Sequence, residues 1–103
     1  MNYYIIINPN SGKKKSLDVF EKSLKPKLDQ NNHTYIPQLT SHQNHARELI
    51  ENIDLNNIDA ILVLGGDGTM HEVINGMLNR NDNYKVPIGN IPTGSGNSLL
   101  FDM

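Results

Sequence analysis

An apolar, branched run, Ala60-Ile61-Leu62-Val63-Leu64, stops at Gly65-Gly66-Asp67-Gly68-Thr69, and a helix-period pattern of Met70, Val73, Ile74, Met77 and Leu78 begins at once. That order dictates a strand, a glycine turn and a helix. Thr69 and Glu72 have the spacing of a capping box, so the helix is expected to start at Thr69, its first backbone N–H groups turned toward the glycines. Unpaired N–H groups and the positive end of the helix dipole coincide at such a start, and glycine lets an anion approach the backbone. A plain strand-to-helix connection does not need three glycines around an aspartate. The stretch reads as a phosphate-binding turn. Gly76, inside the helix, should cost about 1 kcal/mol relative to alanine, which implies close packing there; Met70 and Met77 are expected in the core.

The rest of the chain repeats the strand-turn-helix order. Tyr3 to Ile7 is a strand ended by the turn residues Asn8-Pro9-Asn10-Ser11-Gly12. Leu17, Phe20, Leu24 and Leu28 then recur at helix spacing, with Pro26 expected to end or kink that helix near Leu24. His33 to Leu39 is a second strand, edge-like at Pro37, and Thr40-Ser41 is expected to cap a helix whose apolar stripe is Ala46, Leu49, Ile50 and Ile53. After the polar stretch Asn79 to Lys85, Val86 to Ile91 forms a short fourth strand running into Pro92-Thr93-Gly94-Ser95-Gly96-Asn97, and Ser98 to Phe101 begins a helix.

Strands alternating with helices predict an α/β fold: a doubly wound, mostly parallel sheet with helices on both faces. Ligands of such sheets bind at the C-terminal ends of the strands. The turns there hold Asn8 to Gly12, Thr40-Ser41, Gly65 to Thr69 and Gly94 to Asn97, including six of the eight glycines (Gly12, Gly65, Gly66, Gly68, Gly94 and Gly96). One rim of the sheet is built to approach a ligand.

At 103 residues the chain is one domain. A net charge of -2 argues against nucleic acid as a partner, and a mean hydropathy of -0.48 gives no sign of a membrane span. Without cysteine there is no disulfide and no thiolate metal site. The start MNYYIIINPNSG lacks a basic segment and a long apolar core, so a cytoplasmic location is expected. Lys13, Lys14, Lys15, Lys22, Lys25 and Lys27 make the beginning basic; Lys13 to Lys15 are compatible with peripheral contact to an anionic membrane, the helix lysines with a solvated face. His42 and His45 have no third ligand at suitable spacing, so no metal site is assigned, and His71 is read as a structural helix-face residue.

Two familiar phosphate motifs fail. For a Walker A loop ending at Gly12-Lys13, Ile7 stands at the first glycine and Lys14 at the Ser/Thr position; for a dinucleotide fingerprint the third glycine would be His71 or Leu99. Taken together and in order, Asn8-Pro9-Asn10-Ser11-Gly12, Gly65-Gly66-Asp67-Gly68-Thr69 continuing through Glu72-Val73-Ile74-Asn75-Gly76, and Pro92 to Asn97 resemble the catalytic domain of the diacylglycerol kinase and sphingosine kinase family. NAD kinases share the glycine turn but not its continuation. Asn44 stands where that family often has glycine, and Ser98-Leu99-Leu100 where many bacterial members have Asp-Phe-Ala.

The resemblance implies the N-terminal half of a lipid-kinase fold that binds ATP with Mg²⁺ and transfers phosphate to a lipid hydroxyl, of a diacylglycerol or a sphingoid base. Asn8, Ser11 and Gly12 would flank the nucleotide, with Thr40 beside them. Gly65, Gly66, Asp67, Gly68 and Thr69 would carry the phosphates; Gly94, Ser95, Gly96 and Asn97 would complete the site, Ser95 donating a hydrogen bond. Asp67 is the expected catalytic residue, facing the phosphate–metal region, and Glu72 and Asn75 would lie on the substrate side. Residues 1–103 are then expected to be a truncated nucleotide-binding domain, without the β-rich C-terminal domain of the family that supplies much of the lipid pocket. The alternatives are an NAD kinase-like enzyme and a non-catalytic, truncated nucleotide-binding module.

Overall fold

The run Tyr3-Tyr4-Ile5-Ile6-Ile7 is aromatic and β-branched throughout, and every one of these side chains is buried. A strand buried on both faces must lie inside a sheet with layers above and below. In a computed structural model, which describes residues 1–10 and 15–91, this run is β1 (Asn2–Ile7), and β2 (Thr34–Leu39), β3 (Ala60–Leu64) and β4 (Ile88–Ile91) complete a parallel sheet in the order β2-β1-β3-β4. The chain winds outward from β1 to β2, then returns to the other side of β1. That reversal puts the topological switch point between β1 and β3.

Alternation along the inner strands divides the core. Tyr3, Ile5, Ile7, Leu62 and Leu64 face Phe20, Leu24 and Leu28, whereas Tyr4, Ile6, Ile61 and Val63 face Ala46, Ile50, Val73 and Met77. The first set lies under a helical run made of α1 (Ser16–Val19), a π-type segment (Phe20–Leu24) and α2 (Lys25–Gln30); the second lies under α3 (His45–Asn52) and α4 (Asp67–Leu78). The expected three-layer, doubly wound α/β architecture is what the chain adopts.

Four local expectations are corrected. Of the two outcomes expected at Pro26, the helix does not end near Leu24 but continues to Gln30, and the irregularity there is a widened turn: the Lys25 N–H donates to the Phe20 carbonyl, five residues back. Widening relieves the clash between the proline ring and the preceding turn. Thr40-Ser41 do not cap α3, which starts at His45; Thr40 is buried, and its N–H donates to Ile7 O at 2.9 Å, extending the sheet instead. The α4 helix starts at Asp67 rather than Thr69, and Thr69 and Glu72 do not form a capping box. Met70 is only partly buried, while Met77 is core as expected.

α3 and α4 run side by side, and their contact follows from Glu72 and Gly76 of α4 and from Arg80, two residues past its end, the three spaced by four. A Cβ on Gly76 would stand 2.7 Å from Arg47 O and 2.9 Å from the Ile50 Cβ, so the helices touch through a gap only glycine leaves. At the far end the buried Arg80 guanidinium donates through Nη1 to Ile50 O and Ile53 O, both at 2.7 Å, satisfying carbonyls at the C-terminus of α3. Nε and Nη2 of Arg80 pair with both oxygens of Asp82, at 3.1 and 2.7 Å. The Arg80 hydrogen bond, then the Tyr84 N–H, holds the Asp82 carboxyl below its ordinary range. An eight-residue helix such as α3 is marginal alone, so these tertiary contacts, with burial of Ala46 and Ile50, are what hold it.

Candidate functional site

Register builds the site before any side chain does. Ile7 is level with Leu39 and with Leu64, so β1, β2 and β3 end together and the connections after them leave one rim. Asn8, Thr40 and Gly65 are the next residues after β1, β2 and β3. The first two stay tied to the neighbouring strand: Asn8 N–H donates to Leu64 O and Thr40 N–H to Ile7 O, each at 2.9 Å.

At the switch point the Asn8 side chain links two of the turns. Its Nδ2 donates to Thr69 Oγ1 at 3.0 Å, and its Oδ1 accepts from the Asn10 N–H at 3.0 Å, so one side chain sets the turn after β1 and fastens it to α4. Thr69 can reach Asn8 because Gly65 has no side chain: a Cβ there would lie 2.8 Å from Thr69 Oγ1. Gly66 and Gly68 differ, since a Cβ on either would meet nothing within 4 Å. The glycine turn thus has one member required by packing and two that leave open space.

That space is a cavity of about 320 Å³ lined by Asn8, Asn10, Thr40, Ser41, His42, Gln43, Gly66, Gly68, Thr69 and Glu72. Three of its sides come from the turns after β1, β2 and β3. The α4 helix enters it with Gly66 as its N-cap and no side-chain capping bond, so among the described residues its first N–H groups have no cap and are free for solvent or a ligand. The α3 helix, on the opposite side, is closed: Glu72 Oε2 accepts from the Asn44 N–H at 3.1 Å and Oε1 from the Ala46 N–H at 3.2 Å. Asn44 has φ 69°, in the left-handed region, which asparagine adopts more readily than most residues with a side chain. Ser41 N–H donates to His45 Nδ1 at 2.9 Å, and the His42 and His45 rings stack with centroids 4.4 Å apart. Among the described residues no group of three His, Cys, Asp or Glu side chains is placed to hold a metal, and no helix is long and apolar enough to cross a membrane.

Of the residues expected at the site, Asn8, Thr40, Gly66, Gly68, Thr69 and Glu72 are brought to one cavity. Gly65 lies buried behind it, and Asp67 is exposed between the two lining glycines without lining the cavity itself. Asn75 is exposed two turns along α4, away from the cavity. Ser11, Gly12, Gly94, Ser95, Gly96 and Asn97 lie outside the described residues, as does the helix expected from Ser98. Asn10 and Ser41, expected on the rim as part of its turns, line the cavity too, whereas His42 and Gln43 as wall residues and Arg80 as the anchor of α3 were missed. The four-residue spacing of Glu72, Gly76 and Arg80 was the available signal for the last.

A polar cavity at the switch point, with an open helix start and two glycines facing it, suits a phosphorylated ligand. Residues 2–103 match the diacylglycerol kinase catalytic domain. The chain belongs to that family, the lipid kinases. It is 43% identical to sphingosine kinase 1 of Caenorhabditis elegans over 96% of its length, and 40% identical to human sphingosine kinase 1, also over 96%. It spans 22% and 27% of those relatives, about a quarter of their length. Its fold is that of a protein from Bacillus anthracis str. Sterne assigned to the diacylglycerol kinases, with a TM-score of 0.74 at 24% identity over 91% of this chain and 33% of that one. In this lipid kinase catalytic domain the glycine turn follows β3, one of the two strands that flank the switch point.

Proposed function

We propose that this domain is the ATP-binding half of a lipid kinase that transfers the γ-phosphate of ATP to the hydroxyl of a sphingoid base. The observation that carries the reading is the convergence of Asn8, Thr40, Gly66, Gly68 and Thr69 on one cavity beside the uncapped start of α4. The donor set fits a polyphosphate: backbone N–H groups of the first α4 turn, the amides of Asn8 and Asn10, and the hydroxyls of Thr40 and Ser41. The open space over Gly66 and Gly68 lets phosphate oxygens reach the backbone. Glu72 would repel such a ligand, but both its oxygens are engaged by the N–H groups of α3.

Mg²⁺, which neutralises charge on the β- and γ-phosphates, would be held here by Asp67 together with phosphate and water oxygens. Asp67 stands at the first residue of α4 and makes no other use of its carboxylate among the described hydrogen bonds and ion pairs. In the transfer a bond forms between the lipid oxygen and the γ-phosphorus as the bond to the bridging oxygen of ADP breaks, and the hydroxyl proton is released to solvent or a base. This chain's part is to hold and orient the phosphates. Ser95 and its glycine neighbours would complete the nucleotide site, and a further β-rich domain would supply the lipid pocket. The sphingoid base is favoured over diacylglycerol by the relatives named sphingosine kinases, which match at 36–43% identity.

Incubating the chain, extended by its natural downstream sequence, with radiolabelled MgATP, sphingoid bases, diacylglycerols and NAD tests the reading. Label is expected in the sphingoid base. Label in diacylglycerol alone would change the substrate, and label in NAD alone would replace the lipid kinase with an NAD kinase-like activity. Failure of the folded chain to bind MgATP or MgADP in calorimetry would leave the non-catalytic alternative.

A further inference from the structure

The wall of the cavity opposite the glycine turn is the loop from Thr40 to Asn44. Its first residue is pinned to the sheet, through the Thr40 N–H on Ile7 O at 2.9 Å. Its last is turned by the left-handed φ of Asn44 into α3, and Asn44 supplies no side-chain cap to that helix. The first-turn N–H groups of a helix have no partner within it. Here those of Asn44 and Ala46 donate to the carboxylate of Glu72, 28 and 26 residues further along the chain. Ala46 is fully buried, so leaving its N–H unpaired is costly.

Glu72 is itself held in place. It projects from α4 one helical turn before Gly76, whose contact with Arg47 and Ile50 fixes the separation of the helices, and Arg80 fixes the other end of α3. Acid at the N-terminus of α3 and base at its C-terminus both match the helix dipole. The same α4 helix presents Gly66, Gly68 and Thr69 to the cavity. Glu72 therefore links the two walls: it belongs to the helix that follows the glycine turn, and its carboxylate accepts hydrogen bonds from the end of the facing loop and the start of α3.

We propose that Glu72 is a positioning residue: by closing the N-terminus of α3 it fixes the Thr40–Asn44 wall at the distance from α4 that a nucleotide requires. This rests on reading the cavity as the MgATP site. The role makes a prediction opposite in sign to that of simple charge. Removing a carboxylate from the wall of an anion site should tighten binding if charge alone mattered. Positioning makes binding weaker.

Calorimetry of MgATP binding and amide hydrogen exchange without nucleotide test this on wild type, Glu72→Gln, Glu72→Ala and Arg80→Met. Glu72→Ala is expected to speed exchange at Asn44 and Ala46 about tenfold and to weaken MgATP binding about tenfold. Glu72→Gln, which keeps one acceptor oxygen, should recover part of both. Arg80→Met, at the far end of the same helix, should lower the melting temperature yet leave affinity within about twofold. Unchanged exchange at Asn44 and Ala46 in Glu72→Ala, tighter MgATP binding, or an equal loss of affinity in Arg80→Met would each overturn the proposal. Wild type that fails to bind MgATP would refute the reading of the cavity, while the exchange data would still decide whether Glu72 holds the wall.

Discussion

Two helix starts flank the same cavity and are finished in opposite ways. That of α3 is closed by a carboxylate from its neighbour, and that of α4 carries no side-chain cap. Both present the same unpaired N–H groups and the same positive dipole end. The difference shows how a fold decides which of two equivalent anion sites is used: one is satisfied internally and becomes structure, the other is left facing the cavity. The glycines divide the same way, Gly76 being filled by a neighbouring backbone and Gly68 opening onto space.

The comparison is broken most severely at Asp67. If the start of α4 is the working end, Asp67→Ala should abolish phosphate transfer, by a hundredfold or more on the order expected for loss of a charge-stabilising group. Its melting temperature should fall only slightly, because the side chain is exposed and its dipole contribution is about 0.3–1 kcal/mol. Unchanged transfer would remove Asp67 from the site. Next in size is Gly76→Ala, where the added Cβ meets the Arg47 carbonyl and must push α3 away. Chemical denaturation should register a loss of about 1–3 kcal/mol, despite the better helix propensity of alanine.

Gly68→Ala sharpens the contrast, since the same change on the same helix meets no atoms. Stability should stay level or rise by up to about 1 kcal/mol, while MgATP binding weakens because the methyl occupies the phosphate approach. A fall in stability matching that of Gly76→Ala would contradict the division between packed and open glycines. The smallest effect is at Asp82. Its carboxyl lies below the ordinary 3.8 because Arg80 donates to it, so it contributes stability that is present above that value and is lost as pH falls through the lower, folded value. Melting curves of Asp82→Asn and wild type should differ by a constant amount near neutral pH and converge in acid. A difference that grows in acid would show the sign to be wrong.

The expectations that held were those a few neighbouring residues decide. Ala60 to Leu64 stops at glycines, so a strand must end there; the alternation of apolar runs and helix-period stripes forces parallel crossovers, and parallel crossovers collect Asn8, Thr40 and Gly65 at one rim. Glycine inside a helix announced the contact at Gly76, although its partner could not be named. Pro26 was half legible, because a proline states what the backbone must avoid, not how it avoids it; here the helix widens before it instead of ending. Thr40-Ser41 and the Thr69–Glu72 pair misled for a related reason. Each has the composition of a cap, but Thr40 was claimed by the sheet, Thr69 by Asn8 and Glu72 by α3.

The sequence by itself determined the order of elements, the rim of the sheet on which the turns gather, the glycine turn and, through three ordered motifs, the family. Those follow from patterns whose range is a turn or two of chain. Only the tertiary structure decided which polar group answers which. The bond from Asn8 to Thr69 spans 61 residues, and that from Ala46 to Glu72 spans 26. Side chains with the same local preferences are assigned partners by the sheet order and the helix crossing, and those assignments leave the start of α4, and not that of α3, open to a ligand.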